Sequence, residues 1–329
     1  MKTVGVNGFG RIGRYFSRLA LDTTDVNVAV VNDVSDIRTL AHLFKYDSVH
    51  RILKHDFVIE DNSLVFSNGK KIIFLKESQP ELIPWDKYGV ETVIESTGLF
   101  LTRQSASKHL NGGTRKVIIS APANSEDIKT VVLGVNDDIL DGTELILSNA
   151  SCTTNNAAPM VMVLRKLCEI ESAYITTVHS YTSDQRLHDA PHKDLRRARA
   201  AAESIVPTST GAAKAITKIF PELEGKIGGC GVRVPVPDGS FTDLTMVVRN
   251  PPTVQQINAA MQEASETYLK GILAYTEDPI VSVDIIGNSN SCLFDAELTS
   301  VVNNMIKVVG WYDNEAGYSN RLLDLVRRV

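Results

Sequence analysis

Apolar residues in the first 150 positions fall in short unbroken runs, not in alternation with polar ones. Val4-Gly5-Val6, Val26 to Val31, Val93-Ile94, Val117-Ile118-Ile119, Val131-Val132-Leu133 and Leu145-Ile146-Leu147 read as buried strands, several ending in small polar residues. A helical pattern separates the first two and ends at Leu21. Phe57-Val58-Ile59 and Ile72-Ile73-Phe74 flank Asn68-Gly69, a strong hairpin signal. Buried runs joined by helical segments predict an α/β fold with a doubly wound sheet over residues 1–150.

Beyond residue 150 the rhythm changes. Ala157 to Ile170 sets Val161, Leu164 and Cys168 at helical spacing, and Tyr174 to Val178 reads as a strand. Residues 180–206 form a long irregular loop, after which Thr210-Gly211 opens a helix, Ala212 to Phe220. Val232-Arg233-Val234 is strand-like, Val254 to Leu273 an amphipathic helix, and Ile280 to Ile286 and Met305 to Tyr312 further strands. An α+β domain with a mixed or antiparallel sheet is expected over 151–315. The tail, 316–329, puts Leu322, Leu323 and Val326 on one helical face. It is too short to be stable alone and is expected to dock back onto the first domain.

Composition narrows the choice. At 329 residues two domains are the natural expectation. Hydrophobic content of 43% and charged content of 22% are those of a soluble globular chain. A net charge of −5 offers no basic field for nucleic acid. Cys152, Cys168, Cys230 and Cys292 show no close pairing, which argues against a metal site or a disulfide framework and fits a reducing, cytoplasmic setting. No apolar run reaches the ~18 residues of a membrane span, and Met1 leads directly into a strand pattern, not an export signal.

The chemistry concentrates in a few stretches. Gly8-Phe9-Gly10-Arg11-Ile12-Gly13 has the strand before it and the helix after it that a dinucleotide turn requires. Its glycines permit a tight turn and close approach of a pyrophosphate to a helix N-terminus. Asp33 lies 33 − 13 = 20 residues after the last glycine, where a carboxylate can accept from ribose hydroxyls and would repel a 2′-phosphate, favouring NAD over NADP. The same residue suits a strand-end cap. Ser151 is a natural N-cap, so Cys152 would open a helix, where the dipole favours a thiolate nucleophile. A small core cysteine is the plainer alternative. His179 ends a strand and would supply a proton acceptor if it meets Cys152. Arg233, inside an apolar run, needs a partner: a ligand phosphate or an internal carboxylate.

Taken together, Asn7 to Arg14, Ser148 to Asn155, Thr177 to Thr182, Pro207 to Gly211 and Trp311 to Glu315 resemble phosphorylating glyceraldehyde-3-phosphate dehydrogenase, from Val4 to about Leu325. The resemblance implies a Rossmann-type NAD-binding domain and a thioester route. In it Cys152 attacks the aldehyde, His179 takes the hemithioacetal proton, and inorganic phosphate releases 1,3-bisphosphoglycerate. It further implies that Thr182 and Arg233 hold the substrate phosphate, and that Ser151, Thr153, Arg197, Thr210 and Gly211 hold the attacking one. Gly8, Gly10, Arg11, Ile12, Gly13, Asp33, Ser78, Thr97, Ser120, Asn314 and Tyr318 map onto cofactor contacts, with Asn314 orienting the nicotinamide amide. A homotetramer is implied, the 180–206 loop packing against a neighbour.

Departures are few. Ser78 stands where the family often has a basic residue, Asn156 replaces a second cysteine, and Ala190-Pro191 is a hybrid of the NAD-type and NADP-tolerant patterns. His188 has no physical account. An erythrose-4-phosphate dehydrogenase shares the fold and the Cys–His pair but departs at the phosphate loops, which here keep Tyr181-Thr182 and Thr208-Ser209-Thr210-Gly211. A non-catalytic nucleotide-binding relative would be expected to lose Cys152 or His179.

Overall fold

A computed structural model describes residues Met1–Val329. Two compact units emerge: Met1–Val131 with Asp137–Ala150 and Ser319–Val329, and Val132–Asn136 with Ser151–Tyr318.

In the first unit the buried runs become strands. In chain order they are β1 (Lys2–Asn7), α1 (Arg11–Leu21), β2 (Val26–Asn32), α2 (Ile37–Lys45), a short ribbon of β3 (Tyr46–Asp47) and β4 (Arg51–Ile52), then β5 (Phe57–Glu60), β6 (Ser63–Phe66) and β7 (Lys71–Leu75). β8 (Thr92–Glu95), α3 (Arg103–Ala106), β9 (Lys116–Ile119), β10 (Lys129–Thr130) and β11 (Ile146–Ser148) follow. The nine-stranded sheet runs β10-β11-β9-β8-β1-β2-β7-β6-β5, parallel from β10 to β7 and antiparallel beyond. Val4, Val6, Val30, Val93, Ile94, Val117 and Ile118 are fully buried, as strands covered on both faces must be. β1 neighbours β2 on one side and β8 on the other, so the strand order reverses there and leaves a crevice at the carboxyl ends.

Two expectations for this unit change. The Asn68-Gly69 turn joins β6 to β7, and Phe57–Glu60 pairs with β6 from the far side, so the flanking runs are not each other's partners. Ser63–Phe66, four residues long, lies between the two runs and pairs with each of them. The strand expected at Val131 to Leu133 falls instead at Lys129–Thr130, the edge of the sheet. That apolar triplet is buried beyond the strand end, where the chain leaves the sheet.

The second unit holds α4 (Cys152–Leu167), β12 (Glu169–Ser180), β13 (Val206–Thr208), α5 (Ala212–Ile219), β14 (Ile227–Val234), β15 (Ser240–Arg249), α6 (Val254–Glu266), β16 (Leu273–Thr276), β17 (Cys292–Val302) and β18 (Met305–Tyr312). Its mixed sheet runs β13-β14-β12-β15-β18-β17-β16. β15 alternates buried and half-buried residues, the mark of a sheet with one face covered. α4 packs against α5, α6 and the sheet, and is buried without a break from Thr153 to Val161. Helix boundaries fall earlier than expected. α4 stops at Leu167, so Ile170 belongs to β12, and α6 stops at Glu266, with Leu273 opening β16. The strand expected at Ile280 to Ile286 is replaced by a 3-10 turn, Ser282–Ile285, whose Asp284 carboxylate accepts from the Val281 N–H at 2.8 Å. The strand Cys292–Val302 was not anticipated.

The last helix, α7 (Ala316–Arg328), contributes Ser319 onward to the first unit. There Leu322, Leu323 and Val326 are buried and Arg327 grips Asp25 at 2.7 and 3.1 Å. No helix is long and apolar enough to cross a membrane.

The glycine turn after β1 is dictated by space. A Cβ on Gly13 would lie 2.2 Å from the Gly8 carbonyl oxygen, whereas one on Gly10 would meet nothing within 4 Å. Gly13→Ala should therefore lower the urea midpoint by the equivalent of about 1–3 kcal/mol. Gly10→Ala should stay within about 0.5 kcal/mol. Equal stability of the two variants would show that the turn is not close-packed.

Candidate active site and cofactor cradle

The first unit presents a cradle at the carboxyl ends of β1, β2 and β8. A cavity of about 340 Å³ is lined by Asn7, Gly8, Gly10, Asn32, Asp33, Ser78 and Thr97 among others, within the range of small-molecule sites. Gly10 is the N-cap of α1 and no side chain caps that helix, so its first amides are turned toward the open side of the turn. Gly8, at φ +93°, packs its α-carbon where a Cβ would strike the Thr97 backbone at 2.7 Å. An uncapped helix start with an open Gly10 fits a pyrophosphate.

Asp33 Oδ2 accepts from the Phe9 N–H at 2.8 Å and Oδ1 from the Ser35 N–H at 2.9 Å. The capping role is therefore present. A carboxylate retains capacity for a ribose hydroxyl beside it. Arg11 and Ile12 form the first turn of α1, and the Arg11 guanidinium is drawn to Asp47 at 2.6 Å. Ser120 follows β9, donating its N–H to the Glu95 carbonyl at 2.9 Å, and is not among the cavity's lining residues. Asn7 and Asn32 line the cavity and escaped the sequence reading, although ending adjacent strands was their signal.

In the second unit the nucleophile candidate meets its base. Ser151 caps α4, its Oγ accepting from the Thr154 N–H at 3.1 Å, which fixes Cys152 in the first turn. β12 carries His179 to the same place, with Cys152 Sγ 3.5 Å from His179 Nε2. β14 runs parallel to β12 with Arg233 beside His179 in register. Arg233 Nη1 donates to the Ser180 carbonyl at 2.9 Å and lies 2.7 Å from His179 Nδ1. Inside the chain Arg233 thus meets an imidazole and a carbonyl, and no internal carboxylate. Nδ1 in turn faces two partners, the Arg233 donor and the Ser180 carbonyl 2.8 Å away, one asking for a lone pair and the other for a proton.

Burial adds what the helix start does not show. Cys152 keeps a partly exposed surface, yet burial of its sulfur pushes the thiol up, with the Arg233 charge and the Thr153 donors opposing. Burial first, and then Arg233, push His179 down to about 3. Burial thus works against a charge on either group, and the Arg233 guanidinium opposes it at the sulfur.

Tyr312, at the end of β18, stacks edge-on to the His179 ring and links the Thr153 and Thr177 hydroxyls at 2.9 and 2.8 Å. It was visible only as part of the Trp311 to Glu315 motif. Asn314 Oδ1 accepts from the Ser180 and Ser240 hydroxyls, each at 2.8 Å, which sets the amide's orientation. Tyr318 is buried in α7.

The phosphate candidates are less gathered. Arg197 is paired with Asp184 and donates to Thr208 Oγ1 at 2.9 Å. Thr210 Oγ1 accepts from the Ala212 N–H at 3.2 Å beside Gly211, the N-cap of α5. Thr182 lines a separate cavity of about 220 Å³ with Tyr181, Gln185 and Leu187.

A dinucleotide cradle and a cysteine–histidine pair are the equipment of an NAD-dependent oxidoreductase. Residues 2–103 match the model for the glyceraldehyde 3-phosphate dehydrogenase NAD binding domain, and residues 151–314 that for the C-terminal domain. The chain belongs to the glyceraldehyde 3-phosphate dehydrogenase family. It is 54% identical to the glyceraldehyde-3-phosphate dehydrogenase of Mycobacterium avium, covering 99% of this chain and 98% of that one. Identity to the Geobacillus stearothermophilus enzyme is 54%, and to glyceraldehyde-3-phosphate dehydrogenase 1 of Bacillus subtilis (strain 168) 53%, each covering 98% of this chain and 96% of the relative.

The buried ring gives a pH prediction. The unfolded chain takes up the His179 proton around pH 6.5, while the folded chain refuses it until about 3. Stability from the neutral ring is present above pH 6.5 and is lost as pH falls through that window. His179→Gln should flatten the fall of the urea midpoint on acidification; an unchanged slope would mean the ring is not held neutral.

Proposed function

We propose that this chain oxidises D-glyceraldehyde 3-phosphate with NAD and inorganic phosphate to 1,3-bisphosphoglycerate and NADH, through a thioester on Cys152. The observation that carries the reading is the Cys152–His179 contact of 3.5 Å at a helix start, with Arg233 behind it. NAD, when bound, supplies the hydride acceptor; Gly8, Gly10, Arg11, Ile12, Gly13, Asp33, Ser78, Thr97, Ser120, Asn314 and Tyr318 are the residues we assign to it.

Cys152 Sγ bonds to the aldehyde carbon as the thiol's proton passes to the carbonyl oxygen, which becomes the hemithioacetal hydroxyl. The developing oxyanion is met by the Cys152 N–H at the start of α4. His179 then takes the hydroxyl proton as hydride leaves the same carbon. To accept at Nε2 the ring must carry its other proton on Nδ1, donated to the Ser180 carbonyl 2.8 Å away. Arg233, 2.7 Å from the same nitrogen, competes for it until the substrate phosphate draws the guanidinium off. Inorganic phosphate, held by Ser151, Thr153, Arg197, Thr210 and Gly211, attacks the thioester and the sulfur leaves as thiolate. Thr182 assists Arg233 on the substrate phosphate. The active assembly we assign is a homotetramer in the cytoplasm.

NADH absorbance followed with and without inorganic phosphate tests the route. Turnover should require phosphate, and its omission should leave a single stoichiometric burst; steady turnover without phosphate would exclude the acyl-phosphate product. Cys152→Ser should lose oxidation by at least ~10³-fold while binding NAD normally. Asp33→Ala should narrow the preference for NAD over NADP, and an unchanged ratio would leave Asp33 as a cap alone.

A further inference from the structure

β8 ends in a carboxylate that the chemistry above does not use. Glu95 is 1% exposed, and no lysine or arginine pairs with it. Its Oε2 accepts from the Asn7 amide at 2.7 Å and lies 2.9 Å from His109 Nε2. Its Oε1 accepts from the Thr97 N–H at 2.8 Å and from the Thr97 hydroxyl.

Whether His109 donates or merely abuts is decided by Trp85. The indole N–H, which can only donate, lies 3.3 Å from His109 Nδ1. Nδ1 therefore accepts, the ring proton sits on Nε2, and the imidazole is neutral. His109–Glu95 is a hydrogen bond and not an ion pair. Four donors on two oxygens are the complement of a carboxylate; a carboxylic acid would bring a proton in search of an acceptor.

A buried anion without a cation is costly, and its donors must be well aimed to hold it. The aim here points at the cradle. Asn7 and Thr97, which supply three of the four donors, both line the cavity. Asn7 Oδ1 passes the constraint on, accepting from Asn32 Nδ2 at 2.8 Å. The Asn32 amide clasps the Glu77 backbone through two bonds of 2.9 Å, and Thr97 Oγ1 takes the Leu99 N–H at 3.0 Å. One carboxylate thus ties together the ends of β1, β2 and β8 and the segment after β7. Asn7, Asn32, Glu77, Thr97 and Leu99 all line the cavity.

We propose that Glu95, oriented by the Trp85–His109 pair, is the positioning residue that fixes the walls of the dinucleotide cradle. It governs affinity for the cofactor, not the rate of the chemical step. The proposal rests on NAD as the ligand of that cavity, and direct titration of NAD separates the two. A wild-type protein that fails to bind NAD would overturn the ligand assignment itself.

With wild-type binding in hand, Glu95→Gln turns a donor toward donors. It should weaken NAD binding by about ten-fold, the effect of a charge-assisted hydrogen bond lost. KM for NAD should rise by the same factor while kcat at saturating NAD holds. His109→Phe fills the space but cannot donate to Glu95, and should act in the same direction. His109→Gln offers an oxygen to the indole and an N–H to the carboxylate, and should recover most of the loss. A merely structural role predicts something else: lower thermal midpoints in all three variants with an unchanged NAD dissociation constant per folded molecule, and that result overturns the proposal. If Glu95→Gln does not fold, His109→Phe, which removes a single donor to Glu95 from outside the cavity lining, carries the same test with a smaller shift expected in the same direction.

Discussion

Charge taken out of water is the constraint on which both halves of this chemistry depend. A buried ion survives only where donors, countercharges or a lost proton answer it, and each answer fixes geometry as a by-product. Around Cys152 and His179 burial works against charge on thiol and imidazole alike, and Arg233 is the cation that favours a thiolate. Around Glu95 the answer is four neutral donors. The same physics yields a reactive pair in one unit and a rigid frame in the other.

Sheet topology determines where these answers are delivered. In the first unit the reversal of strand order at β1 brings Asn7, Asn32 and Glu95 to one end of three neighbouring strands. In the second, the parallel pairing of β12 and β14 sets His179 opposite Arg233 in register, and the antiparallel neighbours β15 and β18 add Ser240 and Tyr312. α4 enters from its Ser151 cap and needs no long side chain to reach the histidine, because the sulfur is already in the first turn.

Much of this was legible in the sequence for local reasons. The glycine turn, Asp33 and the Ser151 cap each act through their own backbone, so spacing alone reveals them. Where the sequence reading failed, the cause was a neighbour distant along the chain. Ser63–Phe66 is a strand because β7 and β5 lie on either side of it, not because its residues alternate cleanly. Cys292–Val302 is likewise fixed by pairing with β18. Arg233 asked for a ligand phosphate or a carboxylate, and only the register of two parallel strands shows that it also faces an imidazole. At Cys152 the helix dipole is visible in sequence and burial is not.

Arg233 also leaves the histidine between two claims. Its guanidinium lies 2.7 Å from Nδ1 and the Ser180 carbonyl 2.8 Å from the same atom, one asking for a lone pair and the other for a proton. A ring held that way has two settings, and whatever draws the guanidinium aside selects the one that leaves Nε2 open to receive a proton.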